Sequence, residues 1–304
     1  MPNSDKIVLI TGATGRQGGA VARHMLSKGW RLRALTRNCN SHSAEGLAGQ
    51  GVELAPGDLD DPASIERAMN GIYGVYSVQD FWTAGARREV QQGKNVADAA
   101  KKARVEHFVY SSVGGAERNA GIDHWETKWE IEKHIRKLGL PATILRPVAF
   151  MENYYIEQVE IGILKGKLID PIRADKPYQT IATEDIGAFA ALAFERAKEF
   201  MGLELEIAGS ELTNPETAET FSRVLGKPVK FQQLPMPLVR VVLGKELYQM
   251  FRWFNQEGFR ADIKELRRCY PELHLQTLEE WLRNEGWHKR VRRVRPPRQE
   301  NVRS

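Results

Sequence analysis

Along the first half of the chain, short runs dominated by apolar and β-branched residues alternate with longer stretches whose apolar residues recur every three or four positions. The short runs are KIVLIT at 6–11, RLRALTR at 31–37, VELAPGD at 52–58, GVYSVQ at 74–79, HFVYSS at 107–112 and ATILRP at 142–147, and they read as strands. Between them GGAVARHMLSKG at 18–29, closing on Gly29, and EVQQGKNVADAAKKA at 89–103 read as helices. Strand, helix and strand in repetition predict parallel strands joined by right-handed crossovers. The fold class expected is α/β, a Rossmann-type doubly wound parallel sheet with a smaller α+β C-terminal domain.

After residue 150 the alternation fades. Asn214 before Pro215 reads as a helix N-cap with proline at the first helical position, and Gly226 with Pro228 closes that helix. Thr277 and Glu280 have the spacing of a capping box ahead of Trp281 and Leu282. The aromatic stretch at 247–259 reads as packing of a small domain or as the floor of a substrate pocket. The domains expected are 1–154 for the Rossmann unit, to which some later segments return, 155–287 for a smaller substrate or partner domain, and 288–304 for a basic tail. No repeat of fixed period is present.

Composition narrows the class. At 42% hydrophobic and 27% charged the chain is an ordinary globular protein, and no apolar run is long enough for a membrane span. The start at MPNSDK enters the first strand directly, so a cytoplasmic location is expected. Cys39 and Cys269 are far apart and without His or Cys at ligand spacing, so neither a disulfide framework nor a metal site is expected. The net charge of +5 resides in the tail, where residues 288–304 carry seven Lys or Arg against one Glu. The body is therefore near neutral, and contact with nucleic acid is expected only through that tail, if it is not simply solvated.

The first strand runs straight into GATGRQGG, with Gly12, Gly15 and Gly18 three apart and a helix following. Such a turn lets backbone amides at a helix N-terminus approach a pyrophosphate. Selection of NAD ordinarily uses an acid at the end of the second strand. Here no acid occurs from Trp30 through Ala44, and the strand ends in Thr36, Arg37 and Asn38. A guanidinium there pairs with a 2′-phosphate, so NADP(H) is expected over NAD(H). Asp58 and Leu59 suit an adenine-edge contact or a simple turn.

Taken in order, TGATGRQGG, LTRN at 35–38, GDLDD at 57–61, Phe81 with Trp82, HFVYSS, HWETK at 124–128, and Arg146 and Pro147 leading into FMEN at 150–153 resemble the NmrA-like family. This is a branch of the atypical short-chain dehydrogenase/reductases, and the likeness extends to about residue 285. The resemblance implies an NADP(H) site formed by Gly12, Ala13, Thr14, Gly15, Arg16, Gln17, Gly18, Arg37, Asn38, Asp58, Leu59, Gln79, Lys128, Phe150, Met151, Glu152 and Asn153. At Gln91 the chain lacks a basic residue that relatives carry near the cofactor.

Positions 124, 128, 131, 135 and 138 share one helical face, on which Ile131, Ile135 and Leu138 point inward, so His124 and Lys128 also face inward. Either Lys128 meets the nicotinamide ribose, or it reaches water or Glu132. The tyrosine that precedes such a lysine in short-chain reductases is replaced by His124, read either as the proton donor or as a structural or ribose-contacting residue. Ser111 and Ser112, at a strand's C-terminal end, are candidates for holding a substrate carbonyl, and Val113 stands where a catalytic serine would lie one residue on. Tyr154 and Tyr155 are spare phenols. Two outputs fit: a sensor of the cofactor's redox ratio acting on a protein partner, or a reductase whose acceptor, such as a quinone, needs no tyrosine acid.

Overall fold

The structure is a computed structural model and describes residues 5–290. In chain order the strands are β1 (Ile7–Thr11), β2 (Arg31–Thr36), β3 (Glu53–Pro56), β4 (Gly74–Ser77), β5 (His107–Ser111), β6 (Ala142–Pro147), β7 (Ala149–Phe150), β8 (Lys167–Asp170), β9 (Tyr178–Ile181), β10 (Glu204–Ile207), β11 (Ser210–Leu212) and β12 (Lys230–Gln233). The first six fall on the six predicted runs. Through β6 the helices are α1 (Arg16–Ser27), α2 (His42–Ala48), α3 (Pro62–Ala68), α4 (Phe81–Ala84), α5 (Ala86–Ala103) and α6 (Asp123–Leu138).

The chain forms two compact units. The first comprises residues up to Phe150 together with Gln179–Gly209 and Phe259–Leu275. Its sheet has seven strands in the order β10-β6-β5-β4-β1-β2-β3, and all neighbours are parallel. Alternation along the strands divides the core. Val8, Ile10, Tyr76, Val109 and Leu145 face α1 and the helix Thr183–Glu195, while Leu9, Val75, Phe108, Tyr110 and Ile144 face α3, α5 and α6. The helix Thr183–Glu195 is apolar nearly all round, which fits its burial. It lies so close to α1 that a Cβ on Gly187 would stand 2.6 Å from the Ala20 carbonyl carbon.

From β1 the chain winds outward to β2 and β3 in one direction and to β4, β5 and β6 in the other. The switch point therefore lies between β1 and β4, and doubly wound sheets bind ligands at the C-terminal strand ends of such a point. Thr11 fastens it: its hydroxyl donates to the Val78 carbonyl at 2.9 Å and accepts from the Val78 amide at 2.8 Å.

The second unit comprises Met151–Tyr178, Ser210–Gly258 and the described residues from Gln276 onward. Here β8 pairs with β12 in parallel. The helix Asn214–Leu225 is capped one residue earlier than predicted: Thr213 forms a capping box with Glu216, and Gly226 ends the helix at φ +65°. Asn214 instead turns inward and donates to Asp170 Oδ1 and the Ile172 carbonyl. The capping box of Thr277 and Glu280 is present. Residues 247–256 of the aromatic stretch belong to the helix Gly244–Gln256. Of the basic tail, His288–Arg290 end a short helix, and the remainder lies outside the described residues. Among those described, no helix is long and apolar enough to cross a membrane, and no group of His, Cys, Asp and Glu is placed to hold a metal.

Candidate functional site

The turn after β1 uses its three glycines differently. Gly12 has φ +64°, a conformation that a side chain disfavours. The Gly15 amide donates to the Gly12 carbonyl at 2.9 Å, closing the turn, and Gly15 is the N-cap of α1. A Cβ at Gly18 would stand 2.3 Å from the Gly12 oxygen, so only glycine lets the first helical turn lie on the loop. Gly12, Thr14, Gly15 and Arg16 are exposed, whereas Ala13 and Gly18 are buried. First-turn amides of a helix have no intrahelical acceptor, so this rim offers donors and a positive dipole end to an anion. Beneath it Gln17 is clamped, its Oε1 accepting from Tyr76 Oη at 2.8 Å and Ser111 Oγ at 2.7 Å.

At the end of β2, Arg37 and Asn38 are exposed. Asn38 Oδ1 accepts from the Asn40 amide at 2.9 Å, which shapes the loop. Asp58 fulfils the turn reading, since its Oδ1 accepts from the Asp60 amide at 3.0 Å. The Leu59 carbonyl accepts from Asn95 Nδ2 at 2.9 Å. Gln91 bonds Asn95 Oδ1 at 2.8 Å, one turn along its own helix. After β4, Gln79 is 5% exposed; its amide nitrogen donates to Ser77 Oγ at 2.9 Å, and its Oε1 has no protein partner.

Lys128 is buried, and the alternative in which it reaches water or Glu132 is not what the structure shows. Its Nζ donates to Glu89 Oε1 at 2.5 Å and to the Gln79 carbonyl at 2.9 Å, and it neither pairs with Glu132 nor snorkels to water. Glu89, near the N-terminus of α5, is fully buried, and its second oxygen accepts from Thr127 Oγ1 at 2.5 Å. Sequence reading missed Glu89. The available signal was its spacing, because it stands on the same buried stripe of α5 as Gly93, Val96 and Ala100.

His124 is half-buried among aromatic rings, with centroids 5.3 Å from Phe81, 5.2 Å from Trp82 and 4.3 Å from Trp125. Trp125 is fixed by donation to the Gly114 carbonyl at 2.7 Å, while Trp82 is 65% exposed. Burial, with Lys128 adding to it, lowers the His124 pKa to about 3. The imidazole is therefore neutral at physiological pH, which makes it a poor proton donor and fits the structural alternative. Ser112 has a partner inside the fold. It is buried and donates to Glu132 Oε1 at 2.6 Å, and that carboxylate also binds Arg146 and Arg136. Its one O–H is thus engaged within the unit. Ser111 is likewise buried, facing Gln17.

Phe150 belongs to the first unit, where it pairs with Ile181. Met151, Glu152 and Asn153 form a 3-10 turn in the second unit. There Tyr154 packs on Phe221 at 5.0 Å and Tyr155 donates to Glu285 Oε2 at 2.7 Å. Burial pushes both phenols above their ordinary range, with the Glu285 carboxylate adding to the effect on Tyr155. Both are therefore poorer proton donors than an exposed tyrosine. Cys39 and Cys269 are unpaired thiols.

A sequence model of the NmrA-like family matches residues 4–282. A (4-alkanoyl-5-oxo-2,5-dihydrofuran-3-yl)methyl phosphate reductase of Streptomyces griseus is 30% identical over 239 residues, covering 78% of this chain and 80% of the reductase. Among solved structures, an NADPH-dependent quinone oxidoreductase of Escherichia coli complexed with NADPH is 25% identical with a TM-score of 0.79, covering 91% of this chain and 99% of the oxidoreductase. NmrA, a negative transcriptional regulator solved in complex with NADP, shares the fold at a TM-score of 0.74 and 21% identity, covering 92% of this chain and 95% of the regulator.

Proposed function

This chain belongs to the NmrA-like family, and on that premise we propose that it binds NADP(H) at the C-terminal strand ends of its large sheet and reduces planar, conjugated acceptors that need no side-chain acid. The residues present fit the cofactor. The glycine turn leaves an anion-binding rim, Arg37 is exposed just after β2, and the buried Gln79 Oε1 lacks a donor among the described residues. The turn residues Gly12 to Gly18 would hold the pyrophosphate, Arg37 and Asn38 the 2′-phosphate, and Gln79 and Lys128 the nicotinamide side. Asp58, Leu59 and Phe150 complete the set by resemblance. When bound, the cofactor supplies a hydride.

The observation that carries the reading is the neutral His124 packed among Phe81, Trp82 and Trp125. The edge beside Lys128 presents a ring platform, and the expected proton donor is uncharged. A quinone-like acceptor can take hydride to become a stabilised anion and gain its proton from water, whereas a simple ketone needs an acid as the alkoxide forms. The chain's contribution is then placement of the two reactants. The committed hydroxyl of Ser112 favours a second reading, a sensor of the NADPH/NADP+ ratio that binds a protein partner.

The test is NADPH oxidation by the purified protein against quinones, azo dyes and simple ketones. Turnover of the conjugated acceptors alone is the expected result. Turnover of ketones at comparable rates would overturn the argument from the missing acid, and tight NADPH binding without turnover of any acceptor would favour the sensor.

A further inference from the structure

The fully buried carboxylate of Glu89 has no place in the family's implied site. Burying an ion pair is a poor route to stability, because desolvation offsets the attraction and an apolar pair of similar volume packs as well. Glu89 and Lys128 nonetheless form a contact of 2.5 Å with side-chain exposures of 0% and 11%. The surroundings build it with care. Glu89 lies in the first turn of α5, where the helix dipole favours negative charge. Thr127 holds its second oxygen, and the Gln79 carbonyl takes a second ammonium hydrogen from Lys128.

We propose that Glu89 is a positioning residue: it fixes Lys128 so that one ammonium N–H remains aimed at the cofactor's ribose. This rests on the reading of Lys128 as a cofactor ligand. Of the three hydrogens of the ammonium, two are taken by Glu89 and Gln79, so the lysine acts as a single directed donor. The pair is neutral overall, so the lysine is a tether more than a source of positive field. The ionisable groups around it are Glu89 from α5, His124 and Glu132 from its own helix, and Tyr110 from β5. Of these, His124 is neutral, and Glu132 is already paired with Arg146 and Arg136. The Tyr110 phenol is fully buried and pushed well above its ordinary range by burial and by Glu89 and Glu132, so it stays protonated. Among the described residues, Glu89 is the carboxylate paired with the ammonium.

The experiment measures NADPH dissociation constants by titration of the full-length protein. The variants are Lys128→Met, Glu89→Gln, their combination, and Thr127→Val. Lys128→Met is expected to weaken binding about 10-fold or more, by loss of a charge-assisted hydrogen bond. Glu89→Gln keeps the size of the side chain but leaves a buried cation without a counter-charge. Its affinity should be about 10-fold weaker than the parent's, because the lysine loses the partner that aims it. In the Lys128→Met background Glu89→Gln should add nothing. A merely structural Glu89 would lower thermal stability and would still add its own loss in the Lys128→Met background.

If Lys128→Met weakens binding but Glu89→Gln does not, or if the two losses add in full, the positioning role is overturned while the cofactor reading stands. If Lys128→Met leaves binding unchanged, the cofactor reading of Lys128 falls and this inference with it. Should Glu89→Gln fail to fold, Thr127→Val decides: a loss of about 3-fold is expected from the loosened carboxylate, and unchanged affinity would overturn the proposal.

Discussion

Two buried histidines contribute to the acid response of the first unit. His107 is buried against Thr143 and Phe194, with its pKa lowered by burial to about 4, and His124 is lowered to about 3. In the unfolded chain both return to an ordinary value near ~6.5. As pH falls from there toward 4, the unfolded state takes up protons that the folded state refuses, so stability declines with falling pH. Each imidazole contributes a slope of about 1.4 kcal/mol per pH unit. Urea unfolding at pH 7, 5.5 and 4.5 should show this decline, and His124→Gln should reduce the slope by one proton's share; an unchanged slope would mean the imidazole titrates normally in the fold. At the site, Arg37→Glu should weaken NADPH by roughly 10- to 100-fold, as expected for a lost charge-assisted pair, and NADH by far less. Equal losses for both cofactors would refute the 2′-phosphate assignment. Trp82→Ala should raise KM for a planar acceptor by up to about 10-fold, the worth of an aromatic contact, with NADPH affinity unchanged.

Among the elements, the strands and the glycine turn were legible because their signals are local. The period of two, the breaker residues and the three-residue glycine spacing are each complete within one short segment. Helix boundaries were legible to within about three residues: α1 and α5 begin two and three residues before the stretches read as helical. The helix Asn214–Leu225 was assigned Asn214 as its cap, but Thr213 and Glu216 form a reciprocal capping box, and Asn214 is drawn into the interior by Asp170. What a single element could not show is what faces it. The lysine on the stripe of α6 and the glutamate on the stripe of α5 are each anomalous alone and explain each other once the helices pack. Gly93 marks that contact, because a Cβ there would meet Ile131 at 2.5 Å. Close packing predicts a comparable cost at the other helix pair. Gly187→Ala places a methyl 2.6 Å from Ala20 backbone, so a destabilisation of about 1–3 kcal/mol is expected in denaturant unfolding. A neutral result would show that the helix shifts freely.

At the scale of the whole molecule, the first unit is discontinuous in sequence. The helix Thr183–Glu195 supplies Ile186, Phe189 and Phe194 to one face of the sheet, β10 adds the outermost strand beside β6, and Ala261, Leu266 and Tyr270 join the same core. A chain ending at residue 154 should therefore expose that face and show no cooperative thermal transition by circular dichroism; a sharp transition would show that the early segments suffice. The sequence by itself determined the α/β class, the six leading strands, the phosphate-type turn and the inward placement of His124 and Lys128, because each is written in local periodicity or spacing. Tertiary structure alone decided which later segments complete the first unit, that Lys128 meets Glu89 and the Gln79 carbonyl, that Ser112 serves Glu132, and that His124 is neutral. Those outcomes depend on burial and on partners distant along the chain, and desolvation and ion pairing become definite only when folding brings such groups together.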